Sequence, residues 1–430
     1  MRTVRNYAIL FLSLSSWCLR AQTAGDTIAL PLQDAEKLFL ERNMTLIAAK
    51  YELEATKAQE VQARLLDNPN FYFEQSVYNQ YSKRYFPTQT KYNDGSLGQN
   101  QMNINQLFSI AGKRNKRLKL AKAGTQVAQY QFYDLARTLL FQFRTSFYDL
   151  YFAQKINSIF LSQISDLEKN AAAFKEQVDK GNVSLSEYLR LVSFVNSLKA
   201  ERLDNMIALN EAGNTLHVLL GDTSAKKYKA LLDESGITAF DPQTLSLKSL
   251  LDTAVNNRAD VKAQQFITRQ EKANLEYQKA AGIPDLTLAG TYDRNGSYIP
   301  NYYGVGIGFQ LPAFNRNQGN IKASEARLKE RLIDEQYYKL NVQQDVLKAY
   351  QVLLETVKLY KSTDRSMVDK FPAIMKGLSE NYMKRNISVV EFIDYYESFK
   401  DNMVRMNQTL NAFYNSIENL NYEVGKTIIR

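Results

Sequence analysis

The stretch LPLQDAEKLFLERNMTLIAAK (Leu30 to Lys50) lines up with LSLKSLLDTAVNNRADVKAQQ (Leu245 to Gln265) at a constant offset of 215 residues. Leu30, Leu32, Leu46 and Ala48 fall on Leu245, Leu247, Val261 and Ala263, and the same offset carries Asp67-Asn68-Pro69-Asn70-Phe71 onto Gly282-Ile283-Pro284-Asp285-Leu286. Further on the offset becomes 204, because the first copy has a longer loop: VSLSEYL (Val183 to Leu189) meets ISVVEFI (Ile387 to Ile393), and Gly221 meets Gly425. One duplication of about 200 residues is a different architecture from a solenoid of many short units. Whatever the first half (22–240) folds into, the second (241–430) is expected to repeat.

Each half follows the same order. A helical pattern over about 32–66 ends at a proline-marked break and is followed by a strand (71–81), a loop and a second strand (98–108). After Gly112 the helical pattern runs to Lys180, breaks at Gly181-Asn182, and resumes over about 185–220. The second half repeats this near 247–281, 285–294, 302–311, 319–384 and 389–424. Prolines fall at strand ends, in loops or before helices, where they cost least; only Pro372 lies inside a helical pattern, which predicts a kink there. The two shorter helices of the first half, 35 and 36 residues, together match its long helix of 68. At ~1.5 Å per residue that helix spans on the order of 100 Å, more than a compact domain needs and suited to a tall barrel of helices.

The strands are of the length, about ten residues, that crosses a bilayer at a tilt. Phe71, Phe73 and Val77 alternate with Glu74, Ser76 and Gln80; Met102, Ile104 and Phe108 with Gln101, Asn103 and Asn105; Tyr303, Val305, Ile307, Phe309 and Leu311 with three glycines and Gln310. Apolar-out, polar-in alternation is the pattern of an outer-membrane barrel, against the alternative of a soluble sheet packed on helices. Four strands cannot close a barrel or leave edges in lipid, so the sheet is expected to be completed by other copies, twelve strands in a cyclic trimer.

The N-terminus supports export. Arg2 and Arg5 precede an apolar run from Tyr7 to Leu19, with a cleavage site after Ala21, the layout of a signal peptide too short to span a membrane. Trp17, where a lipidated cysteine would need a small residue, argues against a lipoprotein. Cleavage removes three arginines and no acid, taking the formal charge from +9 to +6, and removes Cys18, the only cysteine. The exported chain then has no thiol, a single imidazole (His217), and charge spread along helix faces, which speaks against a nucleic-acid partner. No nucleophile–base pair stands out, so no enzyme, cofactor or tight metal site is expected; the scattered methionines read as packing, and Gly304, Gly306 and Gly308 alternate inside a strand instead of forming a dinucleotide loop.

The double repeat, the Asn68-Pro69 and Ile283-Pro284 breaks, Gly112-Lys113-Arg114 after the second strand, LPAFNRNQGNI (Leu311 to Ile321) after the fourth, and the hairpins KGNVSLSEYL and KRNISVVEFI resemble the TolC-type outer-membrane factors. The strand-to-helix junctions are most similar to the heavy-metal (CzcC and CusC) branch. The resemblance covers nearly all of 30–426. It implies a mainly helical trimer whose twelve-stranded outer-membrane barrel continues into a periplasmic tunnel, serving as the passive exit duct of a tripartite efflux system. The implied partners are two further copies, outer-membrane lipid, a periplasmic adaptor and an inner-membrane pump of the RND type, with metal cations as one cargo among drugs or secreted products. It places Glu391 and Asp394, spaced i, i+3, at an acidic gate ring with Tyr382 near a gating tyrosine, and Gly181, Asn182, Arg385 and Asn386 at adaptor-contacting tips. Glu187 and Arg190 are the first-half equivalents of the acidic pair, able to pair with it instead of repelling it. The competing expectation is a soluble exported coiled-coil scaffold, in which the acidic pair is an ordinary exposed one and the tips are plain helix-breaking turns.

Overall fold

A computed structural model describes residues 27–80, 83–87, 98–235, 240–294, 301–363 and 370–429; the expected signal peptide lies outside them. In chain order the elements are β1 (Thr27–Pro31), α1 (Leu32–Arg42), α2 (Met44–Arg64), β2 (Asn70–Gln75), β3 (Tyr78–Asn79), β4 (Arg84–Tyr85), β5 (Asn100–Phe108) and α3 (Lys113–Asp179). There follow α4 (Leu185–Leu219), β6 (Lys227–Leu231), a short 3-10 turn (Pro242–Thr244), α5 (Leu247–Asn257), α6 (Ala259–Ala281) and β7 (Leu286–Arg294). The chain closes with β8 (Asn301–Phe309), α7 (Gln318–Ser362), α8 (Phe371–Met383) and α9 (Val389–Val424). The described residues fall into two compact units that each draw on both halves of the sequence: those within 27–47, 135–254 and 343–429 form one, and those within 48–134 and 255–342 the other.

The first unit is helical. Along α9 the buried positions Asn407, Leu410, Tyr414, Ile417, Asn421 and Val424 step by three and four, the coiled-coil spacing that keeps one stripe inward. Towards the hairpins the core runs through Ile156, Phe160, Leu167, Leu191, Leu198 and Tyr396. Arg144 ties α1 to α9, bonding Glu36 at 2.5 Å and Glu418 at 3.0 Å. Parallel pairing of β1 with β6 completes the unit, and the Gln154 side chain occupies the free edge of β6, donating to the Tyr228 carbonyl (2.6 Å) and accepting from Ala230 N–H (3.1 Å).

The second unit is built on a four-stranded antiparallel sheet in the order β2-β5-β7-β8. The two hairpins join through β5 and β7, paired over nine residues from Asn100↔Arg294 to Phe108↔Leu286. That register aligns Phe73, Met102, Tyr292 and Tyr303 in one cross-strand row and Phe71, Ile104, Gly290 and Val305 in the next. The opposite face carries Tyr72, Asn103, Thr291 and Gly304, with the Thr291 hydroxyl donating to Asn103 at 2.7 Å.

Three expectations need correction. The first strand stops at Gln75 instead of 81, because the Ser76 hydroxyl takes the Gln99 N–H (2.7 Å) in place of a main-chain carbonyl. Tyr78–Asn79 then pairs with Arg84–Tyr85 as a separate small hairpin. The helical segments expected over 32–66 and 247–281 are each two helices, broken at Asn43 and at Arg258. Pro372 kinks nothing: it lies in the first turn of α8, where its missing N–H leaves no bond unmade.

Candidate functional site

The two hairpin turns are built alike. Gly181 (φ 73°) and Arg385 (φ 62°) both adopt the left-handed conformation that closes a helix. Behind them Asn182 N–H donates to the Gln177 carbonyl and Asn386 N–H to the Asn381 carbonyl, each at 2.9 Å. The asparagine side chains repeat the parallel, Asn182 Nδ2 reaching Gln177 at 3.0 Å and Asn386 Nδ2 reaching Asn381 at 3.1 Å. An arginine where the first turn has glycine accepts backbone strain, and its guanidinium donates to the Asn182 carbonyl, linking the two tips. All four expected tip residues are thereby brought together.

Each following helix is capped by a serine, Ser184 accepting from Glu187 N–H and Ser388 from Glu391 N–H, both at 3.2 Å. Glu391 completes a capping box by accepting from Ser388 N–H at 2.8 Å, and these bonds hold its carboxyl below the usual range. The carboxylate expected at the gate therefore has a structural task within its own helix. Asp394, one turn on, is exposed and in no ion pair among the described residues. Arg190 makes no ion pair with either acid among those residues.

Tyr382 lies inside the hairpin core. It is 3% exposed, and its ring is stacked between Phe174 (4.4 Å) and Phe392 (4.2 Å). Burial, and then the charge of Glu187, raise its pKa, so the phenol is neutral at physiological pH. Its hydroxyl has no hydrogen-bond partner among the described residues.

One ionic cluster escaped the sequence reading. Lys400, 4% exposed, bonds Glu201 at 2.6 Å and Asp401 at 3.0 Å, joining α9 to α4. Burial alone would lower its pKa, but the two carboxylates outweigh that and raise it, keeping the amine charged. It occupies a core position of α9 where the periodicity leads one to expect an apolar side chain, and only that break in the pattern marks it in the sequence. Among the described residues no three His, Cys, Asp or Glu side chains converge as metal ligands, and no helix is long and apolar enough to cross a membrane.

No family description matches the chain. It is 25% identical over 293 residues to the cobalt-zinc-cadmium resistance protein CzcC of Cupriavidus metallidurans, which covers 68% of this chain and 65% of that protein. Among solved structures it is similar to the Campylobacter jejuni CmeC outer-membrane channel (TM-score 0.76, 15% identity, 93% of this chain and 87% of that one). It is likewise similar to CusC, described as forming a transmembrane channel (TM-score 0.72, 15% identity, 95% and 96%). In fold the chain thus matches outer-membrane channel proteins, and in sequence it is related to a metal-resistance protein, which together support the resemblance to TolC-type outer-membrane factors and their heavy-metal branch.

Proposed function

We propose that this chain is the outer-membrane exit duct of a tripartite efflux system, a trimer to which each copy gives four strands of a twelve-stranded barrel and a share of a periplasmic helical tunnel. The observation that carries this reading is the open sheet. Tyr303 (77%), Val305 (92%) and Ile307 (69%) are exposed on one apolar face of β8, and among the described residues β2 and β8 each have a strand partner on one side only. An apolar face with two free edges is untenable for a lone chain in water or in lipid, whereas two further copies satisfy both edges and leave a lumen. The two sequence halves, 22–240 and 241–430, are read as homologous repeats that each contribute a hairpin to that sheet.

Energy comes from an inner-membrane pump of the RND type, and a periplasmic adaptor bridges from it to the tips at Gly181, Asn182, Arg385 and Asn386. The gate is the ring of carboxylates where the three copies converge. Glu391 contributes charge but is tied into its capping box, so Asp394 is the carboxylate free to reorient towards cations, with Tyr382 buried in the hairpin core. Metal cations are the cargo favoured by the sequence relationship to a cobalt-zinc-cadmium resistance protein. The duct itself performs no catalysis.

The test exploits the absence of cysteine expected in the mature chain, since Cys18, the only cysteine of the sequence, lies ahead of the expected cleavage site. Outer membranes bearing the Asp394→Cys variant are treated with a short bifunctional maleimide. Products at three times the monomer mass, absent from the unsubstituted protein, are expected. Recovery of the chain as a soluble monomer or dimer in the periplasm would instead support the scaffold reading.

A further inference from the structure

Helices α3 and α4 and the segment from Asp222 to Lys229 line a cavity of 660 Å3 that is open to solvent on one side, within the range of small-molecule sites. Leu150, Met206 and Leu209 give it an apolar lining. One wall is a single face of α4, where Asn210, Asn214 and His217 follow at i, i+4 and i+7. Between them lies Gly213. A glycine inside a helix costs about 1 kcal/mol relative to alanine, and a Cβ added here would meet nothing within 4 Å, so the position opens onto empty space.

The polar groups are arranged asymmetrically. The His217 ring stacks on Tyr228 at 4.6 Å, and its buried Nδ1 lies 3.7 Å from the Asp222 carboxylate, too far for a hydrogen bond, with no other partner among the described residues. Asp222, the carboxylate of the cavity, is already engaged: it accepts from the Tyr228 hydroxyl, from Ser224 N–H at 2.8 Å and from Ser224 Oγ at 3.0 Å. Those bonds, the Tyr228 one foremost, hold its carboxyl below the usual range. Lys227 and Lys229, on one face of β6, and Lys226 beside them are exposed and in no ion pair among the described residues. An apolar floor, an amide-and-imidazole wall and an unbalanced cationic mouth together define the ligand.

We infer that this cavity binds a small amphipathic organic anion, with its apolar body against Leu150, Met206 and Leu209 and its carboxylate, sulfonate or phosphate at Lys227 and Lys229. The inference is independent of the transport reading and concerns a site away from the sheet and from the hairpin turns.

Because the chain has one histidine, isotope-labelled histidine gives one imidazole NMR signal, which reports this cavity even in detergent. The full chain, purified without a histidine tag, is titrated with anilinonaphthalene sulfonate. The signal is expected to shift saturably. Gly213→Leu, which fills the cavity and favours the helix, removes the shift while leaving thermal unfolding intact. The Lys227→Gln, Lys229→Gln double variant weakens binding roughly 5- to 20-fold, as does raising salt from about 0.1 to about 0.5 M. Phenylnaphthylamine, with the same body and no sulfonate, binds at least about tenfold more weakly. A signal that does not move overturns the site, whether the chain ahead of Thr27 or a neighbouring copy covers it. A shift that survives Gly213→Leu also overturns it, and equal binding of the neutral dye overturns the anion assignment.

Discussion

Two glycines of the α4 region have opposite consequences for stability. Gly221 closes α4 at φ 60°, with Asp222 N–H returning to the His217 carbonyl at 2.9 Å. A Cβ there would lie 2.7 Å from the Arg42 carbonyl oxygen, so alanine meets both a disfavoured backbone conformation and an immovable neighbour. Gly221→Ala is expected to lose about 1–3 kcal/mol. Gly213→Ala, helical and facing open space, is expected to gain about 0.5–1 kcal/mol. Denaturant unfolding of the detergent-solubilised variants checks the pair, and shifts of the same sign would contradict the placement of one of them. The alignment of Gly221 with Gly425 was legible because a left-handed closure demands glycine at both helix ends; Gly425 has φ 72°. At the equivalent hairpin closure the chain has Arg385 instead, so residue type there hides a geometry that Gly181 makes plain.

At the scale of elements, the long helices were readable because Lys113–Asp179 contains no proline and a single glycine, so the periodic pattern meets no stop. The breaks at Asn43 and Arg258 were not. They stand at the same offset of 215, yet neither is a strong helix breaker and the two are chemically unrelated. What ends the first helix is tertiary: Asn43 Nδ2 donates to the Leu219 carbonyl at 2.9 Å and Asn43 Oδ1 accepts from Leu46 N–H at 2.9 Å. Asn43→Ala removes a cap and strands a buried carbonyl, and should cost about 1–3 kcal/mol in the same unfolding assay. The hairpin pair α8 and α9 depends on the Phe174–Tyr382–Phe392 stack. Tyr382→Phe deletes a hydroxyl that has no partner and should leave stability within about 0.5 kcal/mol, whereas Tyr382→Ala opens a cavity and should cost about 3–5 kcal/mol. A large loss in the phenylalanine variant would mean that the hydroxyl has a partner in the assembled protein, as a gating role requires. The acidic pair at i, i+3 was visible in the sequence, but its division between cap and free charge was not, since that depends on where the helix begins.

For the whole molecule, the period-two alternation revealed the strands and their faces, because a one-residue slip would invert every side chain. It could not reveal that the halves join through β5 and β7, a pairing between residues nearly 200 apart that no local pattern encodes. That join makes one sheet with β2 and β8 as its edges, so the barrel reading rests on which face of β8 meets lipid. Val305 and its neighbour Gly306 separate the possibilities. Val305 is 92% exposed on the apolar face, and an arginine there would cost about 2–4 kcal/mol if it lies at mid-bilayer. Gly306 points to the other face, where a Cβ would meet that of Ala289 at an ordinary 3.6 Å. Val305→Arg is therefore expected to deplete cross-linkable trimer from outer membranes, while Gly306→Ala keeps it. Normal trimer yield from Val305→Arg would mean that this face meets water or protein in the assembly, and the barrel would have to be abandoned even if the chain proved trimeric.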